Sequence, residues 1–302
     1  MTAPAAGAVY DRGYRPYLGS RGDRKAATLA LYRTSLRRAI GLRRPWRQKV
    51  MPFVLLAIAT VPALVEVGVG YLTRNTPAEN FKFITYREYV GVSSALILFV
   101  ALTAPDIVCP DRRQRVLSLI FARPLTGREY AIAKVGAIFT VVFAFAFLPQ
   151  IVLYIGQMVV DKDGALSYLR HNSGVLWQVP LACMVLALFY SVLGIAVASL
   201  TGRRVVAAAT MLGLTLVASA VSNGLTHAHG ADKPGFGGDP AALLNILNLP
   251  LEVRDLIFLG RLAPDSQLSG VSGGGAMSLA VYGAVVIAAV ALILYRYRSV
   301  ET

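Results

Sequence analysis

The chain has 302 residues, 56% of them hydrophobic and only 15% charged, and its mean hydropathy of +0.58 is too high for an ordinary soluble domain. A net charge of +14 would suggest nucleic acid in a soluble protein, but here the basic residues cluster beside apolar runs, as the positive-inside rule requires of a membrane protein. Cys109 and Cys183 lie in or beside different apolar runs, which gives no basis for a disulfide framework or a zinc site.

Residues 1–23 are rich in Gly, Pro, Arg and Tyr and read as a flexible basic cytoplasmic tail. Tyr10, Tyr14 and Tyr17 among Arg12, Arg15 and Arg21 could stack on nucleic acid, but beside a membrane span the favoured contact is anionic lipid or a partner subunit. From Arg24 the pattern turns helical. Leu29, Tyr32, Leu36 and Ile40 share one face, with Arg33, Arg37 and Arg38 opposed or flanking, so residues 24–49 are expected to form an amphipathic interfacial helix. Arg43, Arg44, Arg47 and Lys49 with Trp46 mark the water-lipid boundary. No apolar stretch of signal-peptide type occurs in the first 49 residues, so the first span is expected to direct insertion itself.

A spanning helix needs about 20 apolar residues. Runs at 50–72, 89–108, 130–159, 175–200, 205–221 and 277–295 meet that length, which predicts an all-α integral membrane protein whose six transmembrane helices occupy residues 50–298. Most of the 30 Lys and Arg residues fall in the first 49 residues, the 109–134 stretch, the 201–204 loop and the carboxy terminus. The expected location is the cytoplasmic membrane, multi-pass, with both termini in the cytoplasm.

Between the second and third runs lies a short basic segment, 109–128. Val116, Leu117, Ile120 and Phe121 share one helical face, while Arg112, Arg113 and Arg115 hold the polar side. Pro110 and Asp111 suit the start of such a helix, Pro124 suits its end, and Thr126-Gly127-Arg128-Glu129 fits a capping box at the start of the next. Beyond the third and fourth runs, Thr201-Gly202-Arg203-Arg204 requires a tight antiparallel hairpin with the fifth. The long outer connection, 222–276, opens with His227 and His229 and ends in Gly273-Gly274-Gly275. Within it, apolar pieces between 240 and 262, split at Pro250, are too short to span and suggest outer or re-entrant helices.

At this corner the sequence resembles the permease subunits of ABC-2 type exporters, of the actinobacterial kind. The matching residues are Asp111, Arg112, Leu117, Leu119, Pro124, Leu125, Thr126, Glu129 and Lys134, and the six-span pattern extends the likeness to about residues 30–298. Asp106, Asp111, Arg115 and Val116 stand where many members have glutamates and a Gly-Thr pair. The resemblance implies a coupling helix between spans 2 and 3 that sits in a groove of an ATPase, with Asp111, Arg112, Arg113, Arg115, Leu117, Ile120, Phe121 and Leu125 as its contact set. It also implies two ATPase subunits, a second permease identical or paralogous to this one, and a hydrophobic or amphipathic cargo.

No Gly-x-x-x-x-Gly-Lys-Ser/Thr loop occurs, so no cofactor is expected in this chain, and ATP and magnesium would belong to the partner. No hydrolase motif occurs either, and the chain is not expected to be an enzyme. His227 and His229 could ligate a metal only with residues from elsewhere. Glu66 is the one acid well inside an apolar run, which makes it, with nearby Tyr71, a candidate for the substrate pathway. The competing structural reading has Glu66 bonding Tyr71, interfacial water or a neighbouring helix. Pro62 and Pro149 are expected to kink their helices. The alternative function is a membrane-embedded lipid-modifying enzyme using Glu66, Asp106 or Asp111 as catalytic acids. A secondary transporter would need two similar halves, and none are visible.

Overall fold

A computed structural model describes residues 23–41, 46–74, 76, 84–90, 93–122, 125–162, 164–231 and 238–301, and every regular element among them is helical. The rest of the expected tail, Arg43, Arg44, Pro124 and the side chains of Trp46, Arg47 and Lys49 lie outside the described residues. The chain runs through α1 (Arg24–Ala39), α2 (Trp46–Thr73), α3 (Tyr86–Val90), α4 (Ser93–Arg113), α5 (Leu117–Phe121) and α6 (Gly127–Val160). It continues through α7 (Ala165–His171), α8 (Val175–Leu200), α9 (Arg204–His229), a 3-10 turn at Pro240–Leu244, α10 (Leu249–Leu259) and α11 (Gly274–Glu301).

Six of these helices are long and apolar enough to cross a membrane: α2, α4 with its approach through α3, α6, α8, α9 and α11. Their most apolar windows divide the bundle. Those of α4 and α8 are 73% and 78% buried, against 17% for α2 and 22% for each of α9 and α11. The second and fourth spans therefore form the centre, and the others turn apolar side chains outward, as a lipid-facing surface requires. The 34-residue α6 would be about 51 Å long, well over the roughly 30 Å of hydrocarbon, and it packs against α1, α2, α4, α8 and α11.

In lipid, close packing of helices replaces the drive to escape water, so small residues sit where backbones meet. A Cβ on Gly194 of α8 would overlap Val100 Cγ1 and lie 3.2 Å from Ala104 Cβ, both on α4. A Cβ on Gly156 of α6 would overlap Val67 of α2. The α8–α9 hairpin forms with only residues 201–203 between its helices.

The interfacial helix expected over 24–49 ends at Ala39, and residues from Trp46 on already belong to α2; three further boundaries also differ from the hydropathy pattern. First, α4 continues through Pro105 and Pro110 to Arg113, so Pro110 and Asp111 end the second span and do not start a new helix. Proline is tolerated there because neighbours supply bonds to the disturbed turn: Lys134 Nζ of α6 donates to Ile107 O at 3.0 Å. Helices α2 and α6 likewise continue through Pro62 and Pro149. Second, α9 does not stop at Val221 but runs to His229, where Gly230 takes a left-handed conformation and caps it. Its polar last turns are held by the returning chain. Ser222 Oγ donates to Ala241 O at 3.0 Å and Ser219 Oγ to Asn245 Oδ1 at 2.8 Å. Third, Pro250 does not separate two helices but sits in the first turn of α10, where its missing N–H costs nothing.

Helix α10 packs on α8, α11 and α3 and buries Glu252, Arg254 and Asp255. Arg254 Nη2 pairs with Asp255 Oδ1 at 2.6 Å. Glu252 accepts from Ser266 Oγ at 2.7 Å through one oxygen, and its buried Oε2 has no partner among the described residues. Burial pushes the Glu252 carboxyl above its usual value of 4.5, against the opposing effect of Ser266. An acid raised in the fold is a penalty at neutral pH, because the unfolded chain ionises first; the penalty shrinks as pH falls through the raised value and vanishes below 4.5. Glu252→Gln is thus expected to raise the midpoint of thermal denaturation at pH 7.5 by about 2–4 °C, the size expected of ~1 kcal/mol in a chain of a few hundred residues. A midpoint series in detergent from pH 7.5 to 4.5 should show the gain disappearing.

Candidate functional site

The corner between the second and third spans is held by an ion network seated between three helices. Asp111, in the last turn of α4, is 2% exposed, and Lys134, in the second turn of α6, is 1% exposed. Lys134 Nζ meets Asp111 Oδ2 at 2.6 Å, and Tyr130 Oη donates to the same oxygen at 2.9 Å. The other oxygen, Oδ1, accepts from Arg38 Nη1 of α1 at 2.8 Å. Lys134 also lies 5.2 Å from the centre of the Tyr130 ring. A buried carboxylate is tolerable because both its oxygens are occupied by cations or donors.

Around this centre each flanking element is bonded to the corner. Arg112 donates to Ser199 O in the last turn of α8, and Arg204 at the start of α9 pairs with Asp106 at 2.9 Å. Tyr297 of α11 packs its ring 4.8 Å from Tyr130. The capping box forms as expected: Thr126 N donates to Glu129 Oε2 at 2.9 Å, and Glu129 N to Thr126 Oγ1 at 3.4 Å. It satisfies two amides at the start of α6 and places the Glu129 charge at the positive end of the helix. Arg24 of α1 closes on that carboxylate at 2.6 Å. The corner is therefore in contact with α1, α4, α6, the α8–α9 hairpin and α11.

The expected contact set is divided by the fold. Helix α5 spans only Leu117–Phe121, after a turn at 114–116 in which Arg115 adopts a φ of 52°. Its apolar face is the expected one but looks inward. Leu117 and Leu125 are buried, and Ile120 and Phe121 pack against the core, Phe121 edge-on to Tyr130 at 5.9 Å. Arg113, Arg115 and Leu119 are exposed, Leu119 by 70%. Arg112 is half-buried, turned toward α8. Among the described residues the outer surface of the corner includes Arg113, Gln114, Arg115, Leu119 and Ala122, while Asp111 and Leu117 are buried and Phe121 is half-buried against the core.

Glu66 lies elsewhere, about 10 Å from the Thr73 end of α2 by helical rise, which is the end remote from the corner. It is buried, on the face where Ala63 is enclosed and Gly70 approaches Val160 of α6, whereas Tyr71 is 67% exposed on another face. The two candidate pathway residues are not brought together. Nor are Glu66, Asp106 and Asp111 gathered at a common point, and among the described residues no three His, Cys, Asp or Glu side chains form a group that could hold a metal. His227 and His229 sit in the last turn of α9, and His229 Nδ1 bonds Asp239 Oδ2.

Sequence reasoning missed the roles of Arg38, Tyr130 and Tyr297. The signal for Asp111 with Lys134 was present, an acid closing one apolar run and a base opening the next. Which of the several arginines of α1 would complete the pair depends on how that helix docks. Compared with protein-family models and with curated proteins, the chain matches none.

Proposed function

We propose that this chain is the membrane-spanning permease subunit of an ABC exporter, moving a hydrophobic or amphipathic compound across the cytoplasmic membrane. Hydrolysis of ATP, with its magnesium, belongs to two separate ATPase subunits, and a second permease completes the pathway. The corner faces the cytoplasm in this reading, consistent with the concentration of basic residues there. The observation that supports it is the construction of the corner: an exposed turn and a one-turn helix follow the end of α4, and the ion pairs and hydrogen bonds of Asp111, Lys134, Arg112 and Arg24 join that end to α1, α6 and α8. A subunit driven from outside needs such a part, because a push applied at Leu119 and Arg115 has to reach several spans together. A lipid anchor would need no connection to α8 or α11.

Leu119 makes the test, since it is the large apolar side chain left exposed on α5. Truncating an anchor residue in a protein groove costs about 2 kcal/mol or more, over tenfold in affinity. Leu119→Ala should accordingly reduce co-purification of the ATPase and its hydrolysis rate in the assembled complex, with normal insertion of the chain. Leu29→Ala, on the half-exposed face of α1, should not. Equal indifference at both positions would remove the coupling role from the corner.

A further inference from the structure

At the end of the bundle remote from the corner, a cavity of about 70 Å³ lies between α6 and the start of α8, with Tyr86 of α3 at its edge. Gln150 and Tyr154 of α6 line it. Gln150 is 2% exposed, yet its Oε1 has no hydrogen-bond partner among the described residues, and neither does the buried Tyr154 Oη. Leaving such groups dry and unpaired is costly, and both belong to side chains that line this one cavity, which marks a place where something else can complete them.

The neighbouring hydroxyls do not. Tyr168 Oη donates its single proton to Gln157 Oε1 at 2.7 Å. The 2.7 Å contact between Tyr86 and Tyr168 must then be donated by Tyr86. That relay is complete without the cavity. What remains without a partner is an acceptor, Gln150 Oε1, and a hydroxyl, Tyr154 Oη, and a small rotation of each side chain is needed to present them to the cavity. No charged side chain lines the space, and the rest of its wall is apolar, including Phe147, Ile151 and Val179. An ammonium or carboxylate would be buried there unpaired. A hydroxyl or an amide N–H can donate to Gln150 while its oxygen accepts from Tyr154. The volume admits such a group and little more, so the body of the ligand must lie outside. Leu176, which lines the cavity and is 50% exposed on the bundle surface, shows where it would emerge.

We propose that this cavity binds the uncharged hydroxyl or amide end of an apolar molecule that enters from the bilayer. As cargo, such a molecule specifies the compound class of the exporter and rests on that reading. Binding itself is a property of this chain alone.

The test uses the full chain in phosphatidylcholine nanodiscs, without any ATPase. The probe is a ten-carbon aliphatic alcohol carrying a diazirine, compared with the same chain ending in methyl, carboxylate or ammonium. Mass spectrometry should find saturable labelling of the segments 147–154 and 175–180 by the alcohol, at least fivefold above the other three. Tyr154→Phe and Gln150→Leu should each weaken it about fivefold, the size of one neutral hydrogen bond. Gln150→Leu should leave the denaturation midpoint unchanged or higher, because an unpaired buried amide is removed; a purely structural glutamine would lower it. Competition by both diacylglycerol and decanol identifies a lipid hydroxyl as the source, competition by decanol alone a free lipophilic alcohol, and either supports the site. Equal labelling by the methyl-ended chain, or labelling unaffected by both substitutions, would overturn it and leave the cavity to water. Failure of an ATPase to associate with the chain would overturn the exporter reading and leave this result standing.

Discussion

Asp111→Ala is expected to destabilise the chain by about 3–5 kcal/mol, the usual result of removing one partner from a buried ion pair. Lys134, 1% exposed, would be left with Ile107 O and the Tyr130 ring in place of a counter-charge. Arg38, whose side chain is 42% exposed, can turn to water and contributes less to the loss. Lys134→Met should cost less, because Asp111 keeps its ion pair with Arg38 and its hydrogen bond from Tyr130. The double substitution Asp111→Leu with Lys134→Met should recover most of the stability, since apolar replacements of buried ion pairs are often neutral or stabilising. Denaturation midpoints in detergent for Asp111→Leu, Lys134→Met and the double form a cycle that measures the coupling. If the effects simply add, the contact at 2.6 Å carries no special energy and the network is not what holds the corner. A stable double variant also separates folding from transmission. If it assembles with the ATPase but no longer responds to it, the charges serve movement and not only stability.

The second large effect is expected at Gly194. A methyl group there overlaps Val100 Cγ1, and Val100 is β-branched and nearly fixed in one helical rotamer, so it cannot swing aside. Spans 2 and 4, the centre of the bundle, would have to separate, at about 1–3 kcal/mol for Gly194→Ala and more for Gly194→Leu. Val100→Ala in the same chain removes the overlapping atom and should restore most of the loss. Gly213 of α9 and Gly283 of α11 have no atom near the position of an added Cβ. There, Gly→Ala should be neutral or raise the midpoint, through a helix preference of up to ~1 kcal/mol. The same substitution at three helical glycines is thus expected to have opposite signs. Loss of stability at all three would show that helix propensity and local contacts misjudge this bundle.

The sequence by itself determined the class of fold, the number of spanning helices and much of their placement. The fourth run is helical over 175–200, as its hydropathy indicates, and the capping box at Thr126 and Glu129 forms as its spacing requires. Both features depend on local properties: the free energy of moving a run of side chains out of water, and the reach of two side chains to amides three residues away. Tertiary structure decided what those properties leave open. Pro110 looked like a helix start because a proline lacks an N–H, but Lys134, 27 residues beyond Ile107, donates to the Ile107 carbonyl of the disturbed turn and α4 continues through it. Polar residues after Val221 looked like a loop, yet they remain helical, and Ala241 of the returning chain accepts from Ser222 among them. The apolar face of Leu117 and Phe121 was legible, whereas its inward direction was not, since it depends on where α6 places Tyr130. Gly194 could not be told from Gly213. In lipid the same apolar residues serve a helix interface and a bilayer contact equally well, so periodicity does not separate the two, and only the packed bundle assigns each face its neighbour.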